Sequence, residues 1–264
     1  RSYLEMELLN EKLLESEVNK SRFLGIIRNE FNNPLFGIIP ILDTLYNDEL
    51  DKDKKDLIES AYREILILHL QLDNIIAASE IESGSLHREK SEFDFKALMI
   101  DIISILKNIH FEKEMNLETN IDINIPLYSD REKIYTVMAN LLSNAYEFSK
   151  EKTLIKMDAF IDKDENLVLK VSNYSNKIKN EDKIFDSFYQ ENNDFNRTHR
   201  GLGIGLAITK SFLEFLGGDV HIKYDNHINT FTCTIPNILD NSDDIFDEGF
   251  MFDDFNDFDE EVKF

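Results

Sequence analysis

The stretch that decides the fold is Gly201-Leu202-Gly203-Ile204-Gly205-Leu206-Ala207-Ile208, a glycine-punctuated loop that runs directly into an apolar helix. Glycines at alternate positions let the backbone pass close to a ligand, and the N-terminus of the following helix presents free N–H groups and the positive end of its dipole. This combination favours a phosphate-binding loop. A tight turn from a strand into a helix has the same glycine pattern, so the loop alone leaves both interpretations open.

A second element precedes the loop in residues 131–149, which have the periodicity of an amphipathic helix. Asn140 and Asn144 lie one turn apart at one edge of this helix. Asparagine is a poor helix former, so two of them in mid-helix need an explanation. Either they lie on a solvated edge, or their carboxamide oxygens bind Mg²⁺ that also contacts nucleotide phosphates.

Together the two elements resemble the ATP-binding domain of sensor histidine kinases, a domain type that gyrase-type and Hsp90-type ATPases also contain. The N box of that family, Asn-Leu-Leu-x-Asn-Ala, is matched at residues 140–145, its phenylalanine box at 184–190 and its second glycine box at 201–205. The resemblance implies ATP or ADP with Mg²⁺ as cofactor and Asn144 as the metal ligand. The nucleotide-binding residues that it implies are Asn140, Asn144, Glu147, Phe148, Asn173, Phe185, Phe188, Gly201, Leu202, Gly203, Ile204, Gly205 and Leu206.

Two regions of the ATP-binding part depart from the family pattern. The first glycine box aligns with residues 173–177, so Asn173 replaces the carboxylate that contacts adenine, and both glycines are absent. Asparagine can still form hydrogen bonds with adenine. Glu147 replaces a lysine and puts negative charge where the phosphates would lie, which weakens ATP binding by electrostatics. Lys210 is the candidate to offset that charge.

Residues 23–35, FLGIIRNEFNNPL, resemble the phosphoacceptor helix of the histidine kinase dimerisation domain, with Asn29 at the histidine position. The lone pair of an amide nitrogen is delocalised into the carbonyl group, so Asn29 cannot accept a phosphoryl group. The resemblance implies that Glu30 acts in proton transfer and that Asn33 positions water for dephosphorylation of a partner's aspartate.

Three functional interpretations follow. The favoured one is a degenerate histidine kinase core, a dimeric nucleotide-binding module of two-component signalling that cannot phosphorylate itself at the usual site. The second is a phosphatase or phosphotransfer partner of a response regulator that acts through Glu30 and Asn33. The third is an ordinary sensor histidine kinase with an inactivating change at Asn29, although the departures at Arg28 and Glu147 argue against a single change.

The periodicities divide the chain into four parts. They predict a coiled-coil helix over residues 1–22, a helical hairpin over 23–88, a mixed α/β segment over 89–237 and an acidic, phenylalanine-rich tail over 238–264. The resemblance implies that the first is an entry helix and that the α/β segment is the ATP-binding domain. The tail is either disordered or a docking peptide. The fold class is α+β, with the hairpin forming a dimeric four-helix bundle followed by an α/β two-layer sandwich.

The secondary structure of the ATP-binding domain follows from the same patterns. They predict helices over residues 93–107, 131–149 and 204–216, and strands over residues 120–125, 153–160, 167–171, 220–224 and 230–235.

The charge, the hydropathy and the cysteine content of the chain restrict the kinds of partner and the cellular compartment that we expect. With 52 acidic against 29 basic residues and a net charge of −23, the chain is not expected to bind nucleic acid or an anionic membrane. No apolar run approaches membrane-spanning length. The single cysteine, Cys233, lies in an alternating strand pattern and indicates a buried thiol in a reducing compartment. Together with this composition, the resemblance to sensor histidine kinases implies a cytoplasmic portion of a longer, membrane-attached sensor that forms homodimers and acts with a response regulator or another histidine kinase.

Overall fold

The structure is a computed structural model that describes residues 34, 37–38, 41, 52–84, 86–110, 115–190 and 202–239. Pro34, Gly37, Ile38 and Ile41 are helical and lie within the predicted helical hairpin of residues 23–88. The predicted entry helix, the Asn29 region and residues 240–264 of the tail lie outside the described residues.

Helix α1, Lys52–Ser83, lies within the predicted helical hairpin of residues 23–88. It ends at Gly84, which has a φ of 65° and whose N–H donates a hydrogen bond to the Ile81 carbonyl. The helix has two apolar faces. One packs against the core of the following domain through Leu66, Ile67, Leu70, Ile75, Ala77, Ala78 and Ile81. The other exposes Ile58, Tyr62, Ile65, Leu72 and Ile76.

The α/β domain follows α1 directly. Its elements in chain order are β1 (Lys90–Phe93), α2 (Phe95–Ile109), β2 (Asn116–Asp122), β3 (Leu127–Asp130), α3 (Arg131–Phe148), β4 (Leu154–Ile161), β5 (Leu167–Tyr174), α4 (Gly205–Phe215), β6 (Asp219–Asp225) and β7 (Ile228–Ile235). Five strands form one mixed sheet in the order β2-β4-β5-β7-β6, in which only the β2–β4 pair is parallel. Strands β1 and β3 form a separate antiparallel pair.

The core lies between the five-stranded sheet and helices α2, α3 and α4. Alternate residues of β4, β5 and β7 point to the helices and are buried, including Met157, Leu169 and Cys233. Burial raises the pKa of the Cys233 thiol to about 12, which agrees with the predicted buried strand cysteine. The predicted α/β two-layer sandwich is confirmed, whereas the described residues cover the helical bundle only in part.

The predicted elements agree closely with the observed ones, apart from the strand predicted over residues 120–125 and the two short strands β1 and β3. The strand predicted over residues 120–125 is wrong in its bounds, because parallel pairing with β4 places β2 at Asn116–Asp122. Ile123 follows the strand and enters the core, while Ile125 is half-exposed, so their alternation with Ile121 does not mark a strand. Strands β1 and β3 were not predicted, since four residues carry little periodic signal. Past the last strand, Ile238 is buried and its carbonyl accepts a hydrogen bond from the Tyr128 N–H at 2.8 Å.

A buried ion pair fixes the start of α3 against the rest of the domain. The Asp130 carboxylate caps α3 by accepting from the Lys133 N–H at 3.1 Å, and it also accepts from the Glu89 N–H at 3.0 Å. The Lys133 Nζ donates to Asp130 at 2.7 Å and to the His87 carbonyl at 2.6 Å. This ammonium group also lies 5.3 Å from the centre of the Phe215 ring on α4. The segment that leaves α1, the start of α3 and the inner face of α4 are thereby held together.

Substituting Asp130 with Asn tests this anchor. The side chains of Asp130 and Lys133 are 2% and 11% exposed, so removing one charge leaves the other buried without its counter-ion. We expect the free energy of unfolding to fall by about 3–5 kcal/mol in urea denaturation. Glu132→Gln is the matched control, because it breaks an ion pair with Arg131 in which Glu132 is 74% exposed, and its effect should stay below about 1 kcal/mol. Equal effects of the two substitutions would contradict the role of Asp130.

Candidate functional site

Three elements converge on Asn140 in the middle of α3. The side chain is half-buried, and its carboxamide exchanges two hydrogen bonds with the carboxamide of Asn74 on α1. Gly205, the first residue of α4, lies on another side of it, where a Cβ atom would be 3.1 Å from the Asn140 Oδ1. The structure therefore brings the predicted N box and the predicted glycine loop together. Asn144 is also half-buried, one turn further along α3.

The glycine loop is held by the aromatic segment that precedes it in sequence. The Gly203 carbonyl accepts a hydrogen bond from the Phe188 N–H at 2.8 Å. Gly203 has a φ of 69°, and a Cβ atom there would lie 3.0 Å from the Tyr189 carbonyl oxygen, so both conformation and space require glycine. Leu202 and Ile204 are buried and anchor the loop in the core.

Helix α4 begins at this loop with its N-terminal amides uncapped by a side chain. Ile204 occupies the N-cap position and makes no side-chain hydrogen bond to the first turn. Leu206 in that turn packs against the core. Gly201 lies outside the described residues.

Phe185 and Phe188 belong to the predicted phenylalanine box and are both partly buried against the core. The Lys210 Nζ lies 5.8 Å from the centre of the Phe185 ring and 3.8 Å from the Glu214 carboxylate. The only predicted counter-charge to Glu147 thus has an acidic neighbour on its own helix. Glu147 itself is half-buried in the last turn of α3.

Phe148 closes α3, and its side chain is 48% exposed. The structure places it beside Glu147 at the end of the helix and not in the core. The next residue, Ser149, caps the helix through its N–H and hydroxyl, both of which donate to the Ala145 carbonyl.

A buried group of polar side chains lies at the end of β5. Asn173 is 4% exposed and faces Asn229, its register partner on β7, which is 2% exposed. The Asn229 Nδ2 donates to the Ser175 hydroxyl at 2.6 Å and to the Asn176 carbonyl at 2.8 Å. Both of its N–H bonds are therefore used, which fixes the orientation of the amide. Among the described residues, the Asn229 Oδ1 is left as a buried acceptor without a hydrogen-bond partner.

Two tyrosines of α3 have displaced pKa values. Burial, and then the Asp73 carboxylate, raise the pKa of Tyr135 above its ordinary value. Burial alone raises the pKa of Tyr146, whose ring stacks on His110 with ring centres 5.2 Å apart. Both hydroxyl groups are therefore protonated at neutral pH.

Sequence reasoning missed Asn74 and Asn229. Asn74 interrupts the apolar α1 pattern immediately before Ile75, and it is as unusual in mid-helix as Asn140. Asn229 lies on the same face of β7 as the buried residues Phe231 and Cys233. A polar residue at a position that faces the core is unusual, so the sequence did indicate that Asn229 could have a functional role. The described part of the chain contains no cluster of three or more His, Cys, Asp or Glu side chains able to hold a metal ion. None of its helices is long and apolar enough to span a membrane.

Comparison with known proteins identifies the domain that carries these contacts. Residues 129–239 match the family model of histidine kinase-, DNA gyrase B- and HSP90-like ATPases. This part of the chain therefore resembles the ATPase domain that these proteins share. The chain is also 26% identical over 226 residues to the sensor histidine kinase GacS of Pseudomonas protegens and 29% identical over 227 residues to RcsC of Escherichia coli. The alignments cover 83% and 84% of this chain but only 25% and 24% of those proteins, so the chain spans about a quarter of their length.

Two solved structures have a fold similar to that of this chain. The Acinetobacter baumannii histidine kinase AdeS matches 78% of this chain and 96% of its own at a TM-score of 0.55 and 22% identity. Full-length ShkA, solved in complex with AMPPNP, matches 80% of this chain and 45% of its own at a TM-score of 0.57 and 17% identity. The two structures therefore share the fold of this chain over 78% and 80% of its length.

Proposed function

We propose that this chain is the nucleotide-binding core of a two-component signalling protein that does not autophosphorylate at the usual position. The observation that carries the proposal is the contact between Asn140 of the N box and Gly205 of the glycine loop, inside a domain that matches the ATPase family. The other half of the proposal comes from the sequence, where Asn29 takes the place of the phosphoacceptor histidine.

The residues of the site fit ATP or ADP with Mg²⁺. Gly203 and Gly205 leave space that a Cβ atom would fill, and the uncapped N-terminus of α4 offers N–H groups for phosphate. The Asn229 Oδ1 is a buried acceptor that an amino group on a base would satisfy. Asn144 would hold the metal through its carboxamide oxygen, with phosphate oxygens completing the shell. Bound nucleotide would supply a transferable phosphoryl group.

The same residues explain why nucleotide binding should be weak. Asn173 is a neutral amide, which forms weaker hydrogen bonds with a base than a carboxylate does. Glu147 adds negative charge at the end of α3. The Lys210 Nζ lies 3.8 Å from the Glu214 carboxylate, which offsets part of its positive charge.

The partners follow from the relation to sensor kinases. We expect the protein to act with a response regulator or another histidine kinase from the cytoplasmic side of a sensor. The exposed apolar face of α1 supports a parallel homodimer built on the helical hairpin, because a stripe of this kind is buried when two hairpins form a four-helix bundle.

A nucleotide titration tests the proposed site. We expect calorimetry to detect ATP and ADP binding that requires Mg²⁺ and weakens about tenfold in Asn144→Ala, the factor that about 1.4 kcal/mol of lost interaction gives. Asn120→Ala is the matched control, since Asn120 is an exposed asparagine on β2 that bonds Asp158. Absence of binding at millimolar ATP and ADP would refute the proposed function.

Restoring the histidine tests the loss of autophosphorylation. We expect no acid-labile, base-stable phosphate on the unmodified protein after incubation with labelled ATP, feeble labelling of Asn29→His, and stronger labelling once Glu147→Lys is added. Each 1.4 kcal/mol or so of recovered transition-state stabilisation gives about tenfold in rate. Robust labelling of Asn29→His alone would mean an ordinary kinase with one silenced residue, and labelling of the unmodified chain would mean that another histidine accepts phosphate.

Charge on the exposed face of α1 tests the dimer. Ile65→Asp and Leu72→Asp place a carboxylate on side chains that are 49% and 37% exposed in the single chain, and we expect each to dissociate the dimer in light scattering at micromolar concentration. Ile100→Asp on α2, at a side chain that is 67% exposed, should leave the molar mass unchanged. A monomeric unmodified protein would contradict the proposal.

A further inference from the structure

Two lysines and three rings form a row on the surface at the turn between β6 and β7. The Lys150 Nζ lies 5.1 Å from the centre of the Tyr174 ring, and the Lys177 Nζ lies 5.9 Å from the centre of the Tyr224 ring. Between the two tyrosines is His227, whose ring centre is 5.7 Å from that of Tyr174 and 6.4 Å from that of Tyr224. We call these five residues the lysine–tyrosine row.

Backbone contacts hold the lysine–tyrosine row in place. Asn226 and His227 both have a positive φ, which the two-residue turn of a β-hairpin requires. The His227 carbonyl accepts a hydrogen bond from the Ser175 N–H at 3.0 Å, and the Tyr174 carbonyl accepts one from the Lys150 N–H at 3.0 Å. The row is therefore preformed, so that a partner does not have to order it on binding.

The lysine–tyrosine row carries positive charge. Lys150 and Lys177 are both exposed, and within the described residues neither of them forms an ion pair. The three segments that form the row, residues 150–152, 174–179 and 223–227, contain five lysines against two acidic residues, Glu151 and Asp225. In a chain of net charge −23, this locally positive surface favours an anionic partner.

The same surface offers aromatic and apolar area. Tyr174 and Tyr224 are partly exposed, His227 is exposed, and Ile228, the residue directly after His227, is 40% exposed. Aromatic rings attract other rings in offset or edge-to-face arrangements. The row therefore suits a partner that is both acidic and aromatic.

The chain itself contains a segment of this composition. Residues 240–264, which lie outside the described residues, have eleven acidic residues, one lysine and six phenylalanines. Because only eleven of the 52 acidic residues of the chain are in this segment, the rest of the chain is also negatively charged overall. Most of the surface therefore repels the segment, and a locally positive part of it attracts the segment.

The segment is long enough to reach the lysine–tyrosine row. Strand β7 runs from Ile228 beside the row to Ile235, a distance of about 25 Å, and the described chain continues to Leu239. Residues 240–264 span up to about 80 Å when extended, which is more than the length of the strand. The segment can thus return along the sheet to the row.

We propose that residues 240–264 dock on the lysine–tyrosine row of the same chain. Carboxylates of the segment meet Lys150 and Lys177, while its phenylalanine rings pack against Tyr174 and Tyr224. This inference goes beyond the proposed function and does not depend on it, since neither the row nor the segment includes a residue assigned to nucleotide.

Carbodiimide cross-linking of the full chain tests the docking. The reagent joins carboxylates to amines that are in contact, and we expect mass spectrometry to find residues 240–264 joined to Lys150 and Lys177. Lys107 is the matched control, because it is an exposed lysine of α2 that forms no ion pair within the described part of the chain, and its yield should be several-fold lower. Raising NaCl from about 0.1 M to about 1 M should lower the yield at the row, since salt screens exposed charges.

Amide hydrogen exchange gives a second measurement, with substitutions confined to the segment. We expect residues 223–229 to exchange more slowly in the unmodified chain than in a variant with alanine in place of the phenylalanines at 246, 250, 252, 255, 258 and 264. The matched control combines Asn241→Ala with Asn256→Ala, which changes the segment without removing a ring or a charge. Its exchange should equal that of the unmodified chain.

The outcomes separate this proposal from the nucleotide site. Cross-links that reach Lys107 as often as Lys150 and Lys177 overturn the docking, and so do cross-links that join only different copies in a mixture of isotope-labelled and unlabelled protein. Equal exchange of residues 223–229 with and without the phenylalanines overturns it as well. Both measurements are made without nucleotide, so the proposed function is decided by its own titration.

Discussion

The buried carboxylate of Asp130 is the constraint on which the rest of the domain depends. It caps α3, accepts a hydrogen bond from the segment that leaves α1, and neutralises Lys133, whose ammonium group lies against the aromatic face of α4. A charge this deeply buried is tolerated only when its partners are held in place, so these elements have little freedom to move independently. The direction of α3, and with it the position of Asn140, is set by this one group.

The glycine loop at the candidate nucleotide site is held in place by its backbone more than by charged side chains. Gly203 is locked to Phe188 by a backbone hydrogen bond, and Gly205 fits against Asn140 because it has no side chain. The side chains predicted to contact nucleotide include the amides of Asn140, Asn144 and Asn173, and the predicted charges beside them are Glu147 and Lys210. A neutral amide site in a chain of net charge −23 supports weak, metal-dependent binding of an anionic ligand.

The same amides connect the site to the helical part of the chain. An amide donates and accepts, so Asn140 can pair with an identical side chain on α1, which a carboxylate could not do reciprocally at neutral pH. The helix that carries this partner has one face on the ATPase domain and another exposed. A change in the position of α1 therefore alters the hydrogen bonds of Asn140 directly, because Asn74 on α1 is their partner.

The sequence by itself determined the two-layer fold and the helices and strands that carry the N box and the glycine loop, because periodic apolar patterns and paired glycines are local signals. The presence of Asn29 is also read from the sequence alone. Because an amide nitrogen cannot accept a phosphoryl group, this residue excludes phosphorylation at that position in any fold. Only the tertiary structure decided that Asn74 pairs with Asn140, that Asn229 keeps a buried acceptor opposite Asn173, and that β2 begins at Asn116. These contacts join residues far apart in the chain, and their partners are chosen by packing and strand register, which no local pattern encodes.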